Sequence, residues 1–231
     1  KNPADTVAWA DDGRWSLYAD GGGSSLELRD PSADNALPEA WAASNESAKS
    51  DWRTYTYRGI ATVPPNSTNP TTYNEFILTL LDAGEVLLDD ISVRENPTGV
   101  NLQFLQNGSF QSDAIGAAPA TWRIAGTHQG TVIADPANAA NKVLRLVATG
   151  PGEHLANHAE TTLKAGATFE TVVPGTQYEI SFKAKWIAGS PQLNSRLFFN
   201  YLPKTTILVT PESGGTPGAR NFSDGRPVAV S

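Results

Sequence analysis

Cysteine and methionine are both missing from the 231 residues, histidine occurs three times, and charged side chains make up only 18% of the chain. Each shortage removes something. Without cysteine there is no disulfide, no thiolate nucleophile and no zinc–thiolate centre. Two readings of that absence stand side by side: a cytosolic protein that lacks the residue by chance, or an exported one that avoids unwanted pairing in an oxidising compartment. Scarce Lys, Glu and Arg disfavour long surface helices. The longest apolar run, Phe76 to Leu81 with Thr79 inside it, is far too short to span a bilayer, so no membrane insertion is expected. A formal charge of −7 and a pI near 4.9, with no Lys/Arg cluster to offset them, argue against nucleic acid, whose phosphates need a basic face. No n-region and h-region pair opens these residues, and with no Met even at position 1 the expectation is a piece of a longer polypeptide. The acidic balance and the Thr/Ser/Asn-rich loops lean toward a secreted or cell-surface location.

What the chain does have is 20 Gly, 16 Pro and short apolar runs separated by turn signals about every ten residues, the rhythm of an all-β sandwich. The first half reads as strands at Thr6–Ala10, Trp15–Ala19, Ser25–Asp30, Trp52–Ile60, Glu75–Leu81 and Glu85–Val93, with Asp82-Ala83-Gly84 as a short hairpin turn between the last two. Pro38 to Ser50 reads as a short helix or a covering loop. After Glu95-Asn96-Pro97-Thr98-Gly99, which reads as a linker, strands follow at Asn101–Leu105, Thr121–Ala125, Thr131–Ala134, Lys142–Ala148, His158–Leu163, Gln177–Trp186, Arg196–Tyr201 and Thr205–Val209. The plainest alternation puts Tyr178, Ile180, Phe182, Ala184 and Trp186 on one face and Glu179, Ser181, Lys183 and Lys185 on the other. This predicts an all-β chain of two tandem β-sandwich modules: residues 1–97, incomplete if opening strands precede Lys1, then 98–211, then a linker or tail at 212–231.

Several strings are familiar. Asn107-Gly108-Ser109-Phe110, Trp122 soon after, and the Gly175-x-x-Tyr178-x-Ile180-x-Phe182-x-Ala184-Lys185 strand resemble the jelly-roll carbohydrate-binding modules of bacterial glycoside hydrolases. Glu85 to Val93, with Asp89-Asp90 before its last apolar residues, is similar to the closing strand of those modules. Asp20 to Pro31 resembles the C-terminal strand of bacterial lamin-tail domains, and Gly214 to Asn221 the segment that closes them. The arrangement resembles large lamin-tail-domain-containing surface proteins, in which such sandwiches sit beside a spore-coat-kinase-like domain. The resemblance implies glycan binding and a structural calcium, with two departures: Gln111 stands where the family carries a calcium-holding acid, and the second module lacks a closing Asp-Asp strand.

Chemistry-bearing residues are few. His128, His154 and His158 all lie in the second module near Glu153 and Glu160. A His-x-x-x-His pair ligates zinc from one helical face, but on a strand i and i+4 lie about 13 Å apart, too far for one ion. The alternatives are polar contacts at a ligand rim or plain structural roles. Trp122, Trp186, Phe199 and Tyr201 are candidates for a platform that stacks on the C–H face of a pyranose, with Arg145, Glu160, Arg196, Asn200, His154 and His158 to satisfy its hydroxyls; the competing reading is that these aromatics are core. Asp89 and Asp90 are candidate calcium ligands, although adjacent strand residues point oppositely. There is no Gly-x-Ser-x-Gly elbow, Gly21-Gly22-Gly23 lacks the Lys and helix of a phosphate loop, and no carboxylate pair stands out, so no catalytic activity is expected. Asn45, Asn66, Asn107 and Asn221 match glycosylation acceptors. The leading expectation is a non-catalytic extracellular binding or spacer module directed at a polysaccharide or cell-surface glycan. The alternatives are a self-associating structural subunit of a filament, sheath or surface layer, and an accessory region of a larger hydrolase or kinase-like protein.

Overall fold

A computed structural model describes residues 6–10, 13–20, 23–62, 74–150, 152, 156–197, 201–209, 220–223 and 226–229. It is all-β, with several antiparallel sheets; the only helical turns among the described residues are three 3-10 turns at Leu17–Ala19, Pro38–Ala40 and Ser47–Lys49. In chain order the strands are β1 (Leu26–Leu28), β2 (Trp41–Ala43), β3 (Arg53–Ile60), β4 (Glu75–Leu80), β5 (Gly84–Glu95), β6 (Leu102–Gln103), β7 (Trp122–Ala125), β8 (His128–Asp135) and β9 (Asn138–Ala148). They continue with β10 (His158–Thr162), β11 (Lys164–Ala165), β12 (Thr168–Phe169), β13 (Gln177–Gly189), β14 (Gln192–Leu197), β15 (Tyr201–Ile207), β16 (Arg220–Ser223) and β17 (Arg226–Ala229).

Two sheets carry the core. One runs β15-β14-β4-β10-β7; the other runs β3-β13-β5-β9-β8, with β6 added to β5. The orders correspond: wherever β14, β4, β10 and β7 lie side by side in the first, their chain neighbours β13, β5, β9 and β8 lie side by side in the second. Each consecutive pair therefore crosses from one sheet to the other instead of folding back as a hairpin. Asp82-Ala83-Gly84 is such a crossing, not the hairpin turn expected from its length, and it packs on the crossing from β13 to β14: Ser190 N–H donates to Ala83 O at 2.7 Å. A Cβ on Gly84 would lie 2.9 Å from Ser190 N, and one on Gly189, whose φ is +72°, would lie 2.5 Å from Ala83 O. Only glycine lets the two crossings touch.

A division near Pro97 does not separate the sheets. β3, β4 and β5 precede it, yet β13 lies between β3 and β5, and β4 lies between β14 and β10. Pro97 sits in a tight turn, where Gly99 and Asn101 donate to Asn96 O and Asn96, at φ +45°, donates to Gln177 O. The turn returns β5 into β6, and Arg94 pairs with Gln103. Turn residues look the same in sequence whether they end a domain or reverse a strand. The tail also differs from a plain linker, since β16 pairs antiparallel with β17.

Both sheets feed one hydrophobic cluster. Phe76, Leu78 and Leu80 of β4, Val86 and Leu88 of β5, Leu144 and Leu146 of β9, and Leu193 and Leu197 of β14 are fully enclosed, with Tyr178, Ile180, Phe182, Ala184 and Trp186 of β13 beside them. Period-two alternation dictated that face, and burial at roughly 25 cal/mol per Å² of apolar surface drives it. The N-terminal segment departs from expectation. Residues 6–10 are irregular and Leu17–Ala19 forms a 3-10 turn, while β1 and β2 form a separate two-stranded sheet.

Candidate functional site

The aromatic platform expected in the second half of the chain is enclosed. Trp122, 8% exposed, packs between Phe76 and Phe110 at centroid distances of 6.3 and 6.1 Å and donates its indole N–H to Asn107 O at 3.2 Å. Trp186 and Tyr201 are also buried, and Trp186 donates to Gly189 O at 3.1 Å. A ring wrapped by core side chains has no face left for a sugar, so these three serve packing. Period two explains why: all three stand at inward positions of their strands.

The polar candidates divide between the two outer faces. On the five-stranded sheet, His158 and Glu160 of β10 stand beside Arg123 of β7 and Glu75 of β4. Arg123 donates to Glu160 at 2.7 Å and Glu75 at 2.9 Å, and His158 Nε2 lies 3.2 Å from Glu160. The hydrogen bond from His158 and those from Arg123 hold the Glu160 carboxyl down to about 2, whereas burial and the neighbouring Glu160 push Glu75 up. Arg196 shares this face and donates to Thr79 Oγ1 and Asn194 Oδ1; burial lowers its guanidinium to about 10. On the six-stranded sheet Arg145 grips Glu85 through two 2.7 Å bonds, with Tyr18 close by. His154, Phe199 and Asn200 lie outside the described residues. His128 belongs to neither face. Its Nε2 accepts the Leu80 N–H at 2.9 Å, so the ring bridges the two sheets, and burial together with the nearby His158 lowers it to about 4.

Asp89 and Asp90 do not share a pocket. Asp90 sits at φ +48° where the β5–β13 pairing shifts register, and its carboxylate meets Lys183 at 2.7 Å. Asp89 is buried, accepts from Asn141 Nδ2 at 3.0 Å, and is pushed up by desolvation. The Asn107–Phe110 loop packs on this bulge: Ile91 donates to Gly108 O, and a Cβ on Gly108 would lie 1.9 Å from Ile91 O. Close by, the Lys142 ammonium donates to Gln111 O at 2.9 Å and Asp113 O at 2.5 Å. Among the described residues no three His, Asp or Glu side chains gather as a metal ion would require, and no helix is long and apolar enough to cross a membrane.

One exposed and two half-buried tryptophans collect elsewhere. A cleft of about 490 Å³ lies between the irregular segment at 7–10, the turn at 15–20 and the β1–β2 sheet, and its walls include Trp9, Trp15, Trp41, Val7 and Leu26, with Ser16 and Asp20 as polar groups. Three of the chain's six tryptophans are here. Trp15 and Trp41 lean together at 6.4 Å and 44°, Trp41 is anchored by its indole N–H on Asn35 O, and Trp9 is 73% exposed. The small sheet is braced by Ser44 Oγ, which accepts the Ser25 N–H at 2.8 Å, and Tyr18 contacts Gly189 of the main sandwich. Chemically, this is a preformed apolar slot with indole faces and few hydrogen-bonding groups. Sequence reasoning passed it over because it sought aromatics on well-patterned strands. The signal lay in their surroundings: Trp9, Trp15 and Trp41 stand in stretches rich in Ala, Asp and Gly, and the short runs Thr6–Ala10 and Trp15–Ala19, which read as strands, form an irregular segment and a 3-10 turn instead. No family model matches the chain, and no curated protein or solved structure is significantly similar to it.

Proposed function

We propose that the protein is a non-catalytic, extracellular glycan-binding module whose ligand sits in the tryptophan-lined cleft. The observation that carries this reading is the convergence of Trp9, Trp15 and Trp41 on one concave surface. Indole faces pack on the C–H faces of pyranose rings, and the slot's volume falls within the range that takes small ligands. Ser16 and Asp20 stand in its walls as the polar groups placed to meet sugar hydroxyls. The wrapped strand order supports a jelly-roll reading within one sandwich, with the N-terminal segment added to its side. The bound calcium implied by the resemblance is not needed for this reading, because the Lys142 ammonium occupies the carbonyl oxygens of the Gln111–Asp113 loop.

The test is a glycan array followed by titration of the hits by tryptophan fluorescence. Trp9→Ala and Trp15→Ala should each weaken binding at least tenfold without lowering the melting temperature, since neither ring belongs to the core cluster. Substitutions in the outer face of the five-stranded sheet, such as Arg123→Ala, should leave affinity unchanged. A flat array, or hits that survive both tryptophan substitutions, would remove the cleft from consideration.

A further inference from the structure

A sandwich has four lateral edges, and three of the four here are blunted. β8 is covered by a backbone segment, with Gly116 donating to Val132 O and Val132 donating to Ala117 O, each at 2.8 Å. β7 has only four residues. β15 is interrupted by Pro203 and by Leu202 at φ +49°, and β16 lies against it. Among the described residues, β3 carries none of these devices. It runs for eight residues without proline or positive φ, pairs only with β13 among the described residues, and ends on the exposed Ile60. Proteins that stay monomeric blunt such edges.

The backbone of β3 can be assigned. Ala61 N–H donates to Thr176 O, and Ala61 lies opposite Thr176 if the register Ile60↔Gln177 is continued by one residue. Odd-numbered residues of β3 therefore bond β13, and Thr54, Thr56, Arg58 and Ile60 turn their N–H and C=O toward the outer edge, which no described strand pairs. The side chains of Thr56 and Arg58 lie on the outer face, where Thr56 Oγ1 meets Ser181 at 3.1 Å and Arg58 meets Glu179 at 2.5 Å. Tyr55 and Tyr57 point inward to the groove between β3 and β15, where Lys204 lies 5.7 Å from the Tyr57 ring centroid.

We propose that β3 pairs antiparallel with β3 of a second copy about a twofold axis through Thr56, extending the six-stranded sheet across the dimer. An axis perpendicular to the sheet keeps each side chain on its own face, so paired residue numbers must sum to an even value. The sum 112 centres the overlap on the strand. It sets Thr56 against Thr56 and Thr54 against Arg58 as hydrogen-bonded pairs using the outward groups assigned above, and Arg53 against Gly59 as a non-hydrogen-bonded pair. No like charges face each other, and the one arginine near the axis is already paired with Glu179. Tyr55 falls opposite Tyr57 of the second copy, a cross-strand aromatic pair that closes the mouth of the groove. A slip of one residue would set the inner face of one copy beside the outer face of the other, so only registers of even sum keep the joined sheet continuous. This association is independent of the glycan cleft, which lies on residues 7–41.

The absence of cysteine gives the test a clean reporter. In the intact chain, Thr56→Cys places one thiol per copy at the axis, with Cα atoms about 5.5 Å apart in a hydrogen-bonded pair, inside the range a disulfide spans. Mild oxidation should convert this variant to a covalent dimer, whereas Thr54→Cys, which faces Arg58, should cross-link at least tenfold more slowly. Sedimentation equilibrium should show a concentration-dependent doubling of mass for the wild type. Thr56→Lys, which brings two ammonium groups together at the axis, should be monomeric with an unchanged melting temperature, because Thr56 is exposed in the monomer. A wild-type chain that remains monomeric up to its solubility limit would overturn the proposal. So would equal cross-linking of the two cysteine variants, or dimerisation of Thr56→Lys as tight as that of the wild type.

Discussion

Acidification should weaken this fold through His128, and the size of the effect follows from its position. The imidazole is 3% exposed and accepts the Leu80 N–H at Nε2. Protonation would put an N–H against that donor and a charge in the core. Burial first, then the nearby His158, lowers the ring to about 4 from its ordinary 6.5. Well above pH 6.5 neither the folded nor the unfolded chain protonates the ring, and the stabilisation is fully present. As pH falls from 6.5 toward 4, the unfolded chain takes up the proton and the folded one resists, so stability drops. At about 1.4 kcal/mol per pH unit, the gap costs about 3 kcal/mol between pH 7 and pH 4. That is a large share of the 5–15 kcal/mol typical of a domain. Urea melts followed by tryptophan fluorescence at half-unit pH intervals measure it. The control is His128→Gln, whose amide oxygen can accept the same N–H and does not titrate. Wild type should lose about 3 kcal/mol more than His128→Gln across that window, while losses from carboxylates are common to both. Parallel pH profiles for the two proteins would refute the reasoning.

Other expectations are as direct. Gly108→Ala should cost about 3 kcal/mol or more, or prevent folding, because its Cβ would meet Ile91 O at 1.9 Å and that atom belongs to the backbone; thermal melts report it. Trp122→Ala should lose about 3–5 kcal/mol by opening a cavity between Phe76 and Phe110, without the selective loss of ligand expected at Trp9 and Trp15. Chelation with EDTA should leave the melting temperature unchanged, because Lys142 supplies the positive charge at the Gln111–Asp113 carbonyls; Lys142→Ala should lower it, and a large shift with EDTA alone would refute this.

Local pattern alone made much of this molecule legible. Tyr178 to Trp186 alternates so regularly that strand, inward face and core membership all follow from the pleat, and short apolar or alternating runs between turn residues place β3, β4, β5 and β10 within a few residues. The lack of cysteine likewise excludes disulfides and thiolate centres, because that limit needs no coordinates. Alternation says which way a side chain points, but not which strand lies beside it. Asp82-Ala83-Gly84 therefore read as a hairpin although β4 and β5 lie in different sheets, and Pro97 read as a domain boundary although it turns a strand back on itself. The same limit hid the cleft. Trp9, Trp15 and Trp41 are 32 residues apart at the extremes, and only the folding of the N-terminal segment against β1 and β2 brings their rings to one surface. Strand pairing is a long-range choice made by shape and burial across the whole core, and tertiary structure alone records it.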